Sequence, residues 1–164
     1  MIQLTDIREE DREDLIKILV DPRVGKNYML PEDPDREVLD AITDRFIVLS
    51  RDDSRYVRCI RQDGMLVGFI NDTGISDGWV ELGWVVSPEW QNRGIGSAAV
   101  GIAIRELFAL GYDAVFAGHF ERNIPSLRVM QKNGMLPMEK QDMITYRGET
   151  LRCLYRVIRR EDLA

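Results

Sequence analysis

The stretch that most constrains what this chain can fold into is Glu81-Leu82-Gly83-Trp84-Val85-Val86-Ser87-Pro88-Glu89-Trp90-Gln91-Asn92-Arg93-Gly94-Ile95-Gly96-Ser97-Ala98-Ala99. An apolar run stops at Pro88, crosses a polar segment and enters a glycine-rich turn ahead of Val100-Gly101-Ile102-Ala103-Ile104. The pattern predicts strand, loop and helix. Gly94 and Gly96 lack a Cβ, so the backbone there is free to take positive φ and a ligand can approach its amides closely. Amides converging where a helix begins favour an anion such as phosphate.

Three ligands compete for such a turn. A Walker-type loop needs Lys followed by Ser or Thr after its last glycine, and Ser97-Ala98 stands there instead. Gly94-Ile95-Gly96-Ser97-Ala98-Ala99 does match the dinucleotide fingerprint. That fingerprint, however, follows directly on the first strand of a βαβ unit and precedes an acidic residue that closes the next strand. Here Ser87 to Arg93 intervene, the motif is mid-chain, and Asp113 precedes the next apolar run.

The third ligand comes with a family resemblance. Gln91-Asn92-Arg93-Gly94-Ile95-Gly96 resembles the pyrophosphate loop, Q/R-x-x-G-x-G/A, of the GNAT superfamily of acyl-CoA-dependent N-acyltransferases. The run from Glu81 to Glu89 is similar to the fourth strand of its RimJ/RimL-like branch. Asn123-Ile124-Pro125-Ser126-Leu127-Arg128-Val129-Met130-Gln131-Lys132-Asn133-Gly134-Met135 is similar to that branch's N-x-x-S-x-R-V-x-E-K-x-G-F element. Two such motifs in order are far more specific than either alone.

The remaining chain reads as one domain over residues 1–164, long enough to bury about two-thirds of its unfolded surface. Residues 2–7 alternate as a strand, and a helix over residues 12–20 ends at Asp21-Pro22. Residues 23–33 read as a loop, with Tyr28, Met29 and Leu30 apolar within it. A second helix runs to about Ser50. Strand-like runs flank Gln62-Asp63-Gly64, a strong hairpin signal. Residues 71–78 read as a second, polar turn before Trp79. After the glycine-rich loop a helix reaches about Leu110, then come a fifth strand through His119, a short helix over residues 125–133 and a final hairpin turning at Arg147-Gly148. The expected fold class is α+β (mixed α/β), of β-α-α-β-β-β-α-β-α-β-β order. The resemblance implies a GNAT-type fold: a central mixed, mostly antiparallel, seven-stranded sheet, splayed between strands 4 and 5 and flanked by about four helices.

A net charge of −6 argues against non-specific nucleic-acid binding, which needs a basic face. No run approaches a membrane span, and the first residues lack a basic segment and an apolar core, so a cytoplasmic location is expected. Cys59 and Cys153 sit in strand-like runs far apart, without metal-ligand spacing, so two buried thiols and no metal are expected.

By resemblance, Trp84, Val85 and Val86 would hold the pantetheine arm and acyl carbonyl of acetyl-CoA. Gln91, Asn92, Arg93, Gly94, Ile95, Gly96 and Ser97 would hold its pyrophosphate, and Asn123 would contact the pantetheine. Asn123 also suits a helix N-cap. Glu81 stands where many members place the base that deprotonates the amine through water. It reads equally as a strand carboxylate facing solvent or an arginine. Many members supply the acid from a tyrosine, where this chain has Met130. The branch's substitute maps to Ser126, otherwise a first-turn helix serine. His119, the one histidine, ends the fifth strand and is a rival acid or base by its titration range. Tyr28 and Met29 either cap the core or line the acceptor pocket.

Two functions are expected from these residues. One is an N-acetyltransferase moving an acetyl group to a primary amine, on a protein N-terminus or a small molecule, by direct attack in a ternary complex. The other, raised by Met130, is an acyl-CoA-binding module without turnover. A nucleotide-dependent oxidoreductase is third. The family often pairs as homodimers, which the resemblance brings into view for this chain.

Overall fold

The computed structural model describes residues 1–163. Seven strands form: β1 (Ile2–Thr5), β2 (Val57–Gln62), β3 (Met65–Ser76), β4 (Trp79–Val86), β5 (Ala114–Phe120), β6 (Leu136–Tyr146) and β7 (Glu149–Arg159). Five helices accompany them: α1 (Arg12–Leu19), α2 (Pro22–Gly25), α3 (Arg36–Ser50), α4 (Ile95–Ala109) and α5 (Ile124–Lys132). The strands are hydrogen-bonded in the order β1-β2-β3-β4-β5-β7-β6, one mixed and mostly antiparallel sheet in which β4 and β5 run parallel. The parallel ladder holds only Trp79↔Ala114, Val80↔Val115 and Glu81↔Phe116, although β4 continues to Val86 and β5 to Phe120.

The chain divides into two compact units. The first takes in Met1–Asn71 and Trp84–Ala99, the second Asp72–Gly83 and the chain from Val100 on. In the first, α1 turns Leu15, Ile16, Ile18 and Leu19 inward, onto a core with Ile7, Val57, Cys59, Phe69 and Val85. Asp35 caps α3, its side chain accepting from the Val38 amide at 3.0 Å, and Ile42 and Phe46 of that helix pack on the same core. β3 runs close to the end of β4: the Ser87 amide donates to the Val67 carbonyl at 2.7 Å. A Cβ built on Gly68 would fall 2.2 Å from the Val85 carbonyl oxygen, a contact with backbone that cannot swing away.

In the second unit, α4 buries Val100, Ala103, Ile104 and Leu107 fully, as β5 does Val115 and Ala117. The opposite face of β5 carries Phe116 and Phe120, which join Tyr155 and Cys153 of β7 and Met138, Ile144 and Tyr146 of β6 in a smaller apolar cluster. β6 and β7 pair antiparallel, with an irregularity between Pro137 and Gln141 where four steps on β6 span two on β7.

Two expectations change. Residues 23–33 are not all loop, because Pro22 occupies the first turn of α2 and the Asp21 side chain accepts from the Arg23 amide at 2.9 Å. The proline that stops one helix opens the next, since its missing N–H costs nothing in a first turn. This is the fifth helix. Residues 71–78 are not a polar turn either: β3 runs on to Ser76, with Asn71 and Asp72 buried, and the turn is Asp77-Gly78 alone. Both its residues have positive φ, 53° and 81°, as do Asp63-Gly64 (51° and 84°) and Arg147-Gly148 (50° and 80°). These are two-residue hairpin turns whose twist matches that of the strands.

Gly68→Ala is expected to cost about 1–3 kcal/mol in a denaturant melt, because the added methyl must displace backbone. Gly74→Ala, on the same strand with nothing within 4 Å of the new Cβ, serves as the control and should change stability by under about 0.5 kcal/mol.

Candidate active site

After β4 the chain makes a 3₁₀ turn at Pro88–Trp90 and meets α4 through an exposed loop. The Gln91 side chain folds back, its Nε2 donating to the Val86 carbonyl at 3.0 Å. Asn92 and Gly94 take positive φ, 62° and 79°, on either side of Arg93. Glycine is suited to the second of these by conformation alone, since nothing lies within 4 Å of a Cβ there. The Arg93 guanidinium rests 4.7 Å from the centre of the Trp90 ring and donates to the Glu89 carbonyl at 3.2 Å. The first bond of α4 runs from the Ala98 amide to the Gly94 carbonyl at 3.1 Å. The amides of Ile95 and Gly96 lie ahead of it, at the positive end of a fifteen-residue helix. Ile95 is buried and anchors the turn, whereas Gly96 and Ser97 are half-buried. Such a loop can bind an anion with backbone dipoles. Upstream, Val85 is buried, and Trp84 and Val86 are half-buried.

Tyr28, in the same unit, donates its hydroxyl to Asn71 Oδ1 at 3.0 Å and sets its ring edge-on to Phe69, 5.2 Å between centres. Burial pushes the phenol up to about 12, so it stays protonated at neutral pH. Met29 beside it is exposed. The core-capping role therefore falls to Tyr28 and Leu30, and Met29 presents its side chain to solvent.

The second unit holds the titratable candidates. Strand alternation buries Val80 and Leu82 and leaves Glu81 half-buried on the other face, opposite Phe116. Desolvation raises the Glu81 carboxyl above its ordinary value, against the lowering effects of a Thr73 hydrogen bond and of Lys140, while Asp142 adds to the rise. A carboxylate so placed is a better base than one in water.

His119 is buried on the opposite side of β5 from Phe116 and Gly118, its Nδ1 2.9 Å from the Phe120 carbonyl oxygen. Alternation thus separates it from the face that carries Glu81. Asn123 caps α5, its Oδ1 accepting from the Ser126 amide at 3.4 Å, and its Nδ2 donates to Ser126 Oγ at 3.1 Å. The cap role foreseen for Asn123 is filled, whereas the Ser126 hydroxyl bonds the Asn123 side chain rather than a backbone amide. Because Oγ accepts from Asn123, the serine's own proton is directed elsewhere and remains available to donate. Met130, four residues on, is fully buried.

Three residues near Glu81 escape sequence reading. Tyr155 donates to Asp142 Oδ2 at 2.7 Å, and Lys140 Nζ lies 3.3 Å from the same oxygen. They meet through the register that the Arg147-Gly148 turn sets, which runs unbroken from Tyr146↔Glu149 to Gln141↔Leu154 and pairs Asp142 with Cys153. Among the described residues, no group of three or more His, Cys, Asp or Glu is arranged to hold a metal ion, and no helix is long and apolar enough to cross a membrane.

The family model "Acetyltransferase (GNAT) domain" matches residues 2–136. The chain belongs to the GNAT acetyltransferase family. Among solved structures, a GNAT-family acetyltransferase from Bacillus anthracis superposes with a TM-score of 0.83 at 22% identity, covering 98% of this chain and 95% of that one. RimL, a ribosomal-protein alpha-N-acetyltransferase in complex with coenzyme A, gives 0.88 at 13% identity over 98% and 95%. Spermidine N-acetyltransferase from Vibrio cholerae, in complex with CoA and spermine, gives 0.84 at 12% over 98% and 96%. At these identities the likeness is one of fold. No curated protein matches the sequence closely enough to count as a relative.

The raised Glu81 carboxyl has a consequence for stability. A carboxyl whose folded pKa exceeds its unfolded one favours folding in its protonated form, and that advantage is lost as pH rises through the folded value. Glu81→Gln carries no such charge, so its melting temperature should exceed the parent's at pH 7–8. The difference should close below about pH 4.3, the ordinary glutamate value, where Glu81 is neutral in both states. A pH series of thermal melts checks this.

Proposed function

We propose that the protein is a cytoplasmic N-acetyltransferase of the RimJ/RimL-like branch, one domain across residues 1–164, that transfers the acetyl group of acetyl-CoA to a primary amine. The observation that carries the reading is the loop at the N-terminus of α4, where positive φ at Asn92 and Gly94 leads the chain into a helix whose first intrahelical bond runs from the Ala98 amide to the Gly94 carbonyl. The loop lies inside the region that matches the family. The CoA-bound state of RimL and of the Vibrio cholerae enzyme supports the choice of donor.

In this reading residues 91–97 hold the pyrophosphate, and Trp84, Val85, Val86 and Asn123 hold the pantetheine. Backbone amides at the end of β4 receive the thioester carbonyl, each donor to the developing oxyanion contributing roughly 3 kcal/mol of barrier reduction. The acceptor arrives as an ammonium and gives one proton to Glu81 through water. The neutral nitrogen attacks the acetyl carbon and forms the new C–N bond. The tetrahedral intermediate collapses, the C–S bond breaks, and the departing thiolate takes a proton from Ser126. The nitrogen's surplus proton restores the Ser126 hydroxyl through water, and Glu81 releases its proton to solvent, the one proton the reaction sets free. No acyl-enzyme forms. His119, buried on the other face of β5, takes no part, and Met29 contributes to acceptor binding from its exposed loop.

The second reading, an acyl-CoA-binding module without turnover, is favoured by one observation: Met130 cannot protonate a thiolate, and it is fully buried. Release of CoA thiol in the presence of a panel of peptide N-termini and small amines separates the two. Under the first reading at least one amine sustains turnover, Glu81→Gln lowers kcat/KM by about 100-fold or more, and Ser126→Ala lowers kcat by about tenfold or more, within the range of positioned acid–base groups. Tight CoA binding with no thiol release across the panel would establish the module instead.

A further inference from the structure

Among the described residues that act on the Glu81 carboxyl is a lysine, Lys140, held by its neighbours. Glu81 stands opposite Phe116 in the parallel ladder, and the Phe116 ring lies 6.3 Å from that of Tyr155. Tyr155 lies over Gly118, where an added Cβ would come within 2.7 Å of its Cε1 and 2.8 Å of the Cys153 sulfur. β6 adds the charges. Asp142 pairs with Cys153 across the β6–β7 ladder, so Lys140, two residues earlier, shares its face. Lys140 Nζ sits 4.9 Å from the centre of the Tyr155 ring and 3.3 Å from Asp142 Oδ2, the oxygen that also accepts the Tyr155 hydroxyl at 2.7 Å. Two contacts thus hold the ammonium group, a ring face and a carboxylate, and the phenol steadies the carboxylate.

The groups that act on the Glu81 carboxyl come from β3, β6 and β7. Thr73, whose hydroxyl reaches the Glu81 backbone carbonyl at 3.5 Å, and Lys140 favour its ionised form and Asp142 disfavours it, while Cys153, beside Tyr155, is itself raised in part by the Glu81 charge. Tyr155 and Cys153 are both held protonated, by desolvation first and neighbouring carboxylates after it, so neither adds a charge at neutral pH. Lys140 is the one cation in this set. A general base must be ionised to accept a proton and yet basic enough to take it, and a cation near a half-buried carboxylate shifts that balance.

We propose that Lys140, held by Asp142 and the Tyr155 ring, is a positioning residue that sets the charge of Glu81 and with it how readily the carboxylate takes the acceptor's proton. The proposal rests on Glu81 being the base. Asp142 has the opposing part: it anchors the lysine and partly offsets its field.

The test tracks the Glu81 carboxyl carbon by NMR through a pH titration, its signal assigned by loss in Glu81→Gln, alongside the pH profile of kcat/KM for an accepted amine. Lys140→Met keeps an apolar stem over Tyr155 and removes the charge. The titration midpoint and the acidic limb of the rate profile should both move to higher pH, with a severalfold loss of kcat/KM on that limb. Asp142→Asn should move both to lower pH, and Lys140→Arg should restore the parent profile. Midpoints unchanged in both Lys140→Met and Asp142→Asn overturn the proposal alone. Midpoints that move while the rate limb stays in place overturn Glu81 as the base, and the proposal with it.

Discussion

The parallel ladder between β4 and β5 is three residue pairs long, and the backbone chemistry at the end of β4 follows from its stopping there. A buried backbone N–H or C=O must find a partner, so a strand that outruns its neighbour's ladder needs other partners for the groups on that side. At the end of β4 the Gln91 side chain takes the Val86 carbonyl, while on the β3 side the Ser87 amide still reaches the Val67 carbonyl. The chain then enters a loop that twice adopts positive φ before α4 begins. Local chemistry explains each step, from a proline that ends the strand to a glycine that tolerates the left-handed turn.

The last pair of that ladder is Glu81↔Phe116, so the carboxylate occupies the final position where β4 is held on both sides. That gives it a fixed orientation and partial burial together. Partial burial alone would make Glu81 a reluctant anion. The hydroxyl of Thr73, the ammonium of Lys140 and the carboxylate of Asp142 adjust this in both directions, and the aromatic side chains of Phe116 and Tyr155 keep the surroundings of low polarity. The charge of the whole chain, −6, says little about this neighbourhood, where one lysine faces two carboxylates.

Much of the fold was legible because its signals are local. Alternation at residues 79–86, helical spacing after Gly96 and the Asp63-Gly64 turn each determine an element without reference to anything distant. The misreadings are local too. Asp77-Gly78 carries the same hairpin signal as Asp63-Gly64, but the polar run before it hid six further residues of strand, because Asn71 and Asp72 are buried by tertiary context that their polarity does not reveal. Pro22 reads as a helix stop and is also a helix start. Of the candidate site, the glycine loop and Glu81 are visible as motif and as strand position, and Asn123 and Ser126 as a capping pair. Which side of β5 His119 occupies needs the register of the sheet. The Lys140–Asp142–Tyr155 cluster needs the register of the last hairpin, which the Arg147-Gly148 turn sets, together with the side-chain contacts that only the structure shows.

Whether the loop before α4 takes the pyrophosphate of a CoA thioester is read out by ligand-dependent thermal stability. A ligand that binds only the folded state adds RT ln(1 + [L]/Kd), roughly 2.7 kcal/mol at a hundredfold excess over Kd, which reads as a rise of several degrees in Tm. The account predicts that acetyl-CoA and CoA raise Tm while NAD and ATP leave it unchanged. Stabilisation by NAD, or by none of the four, would contradict it.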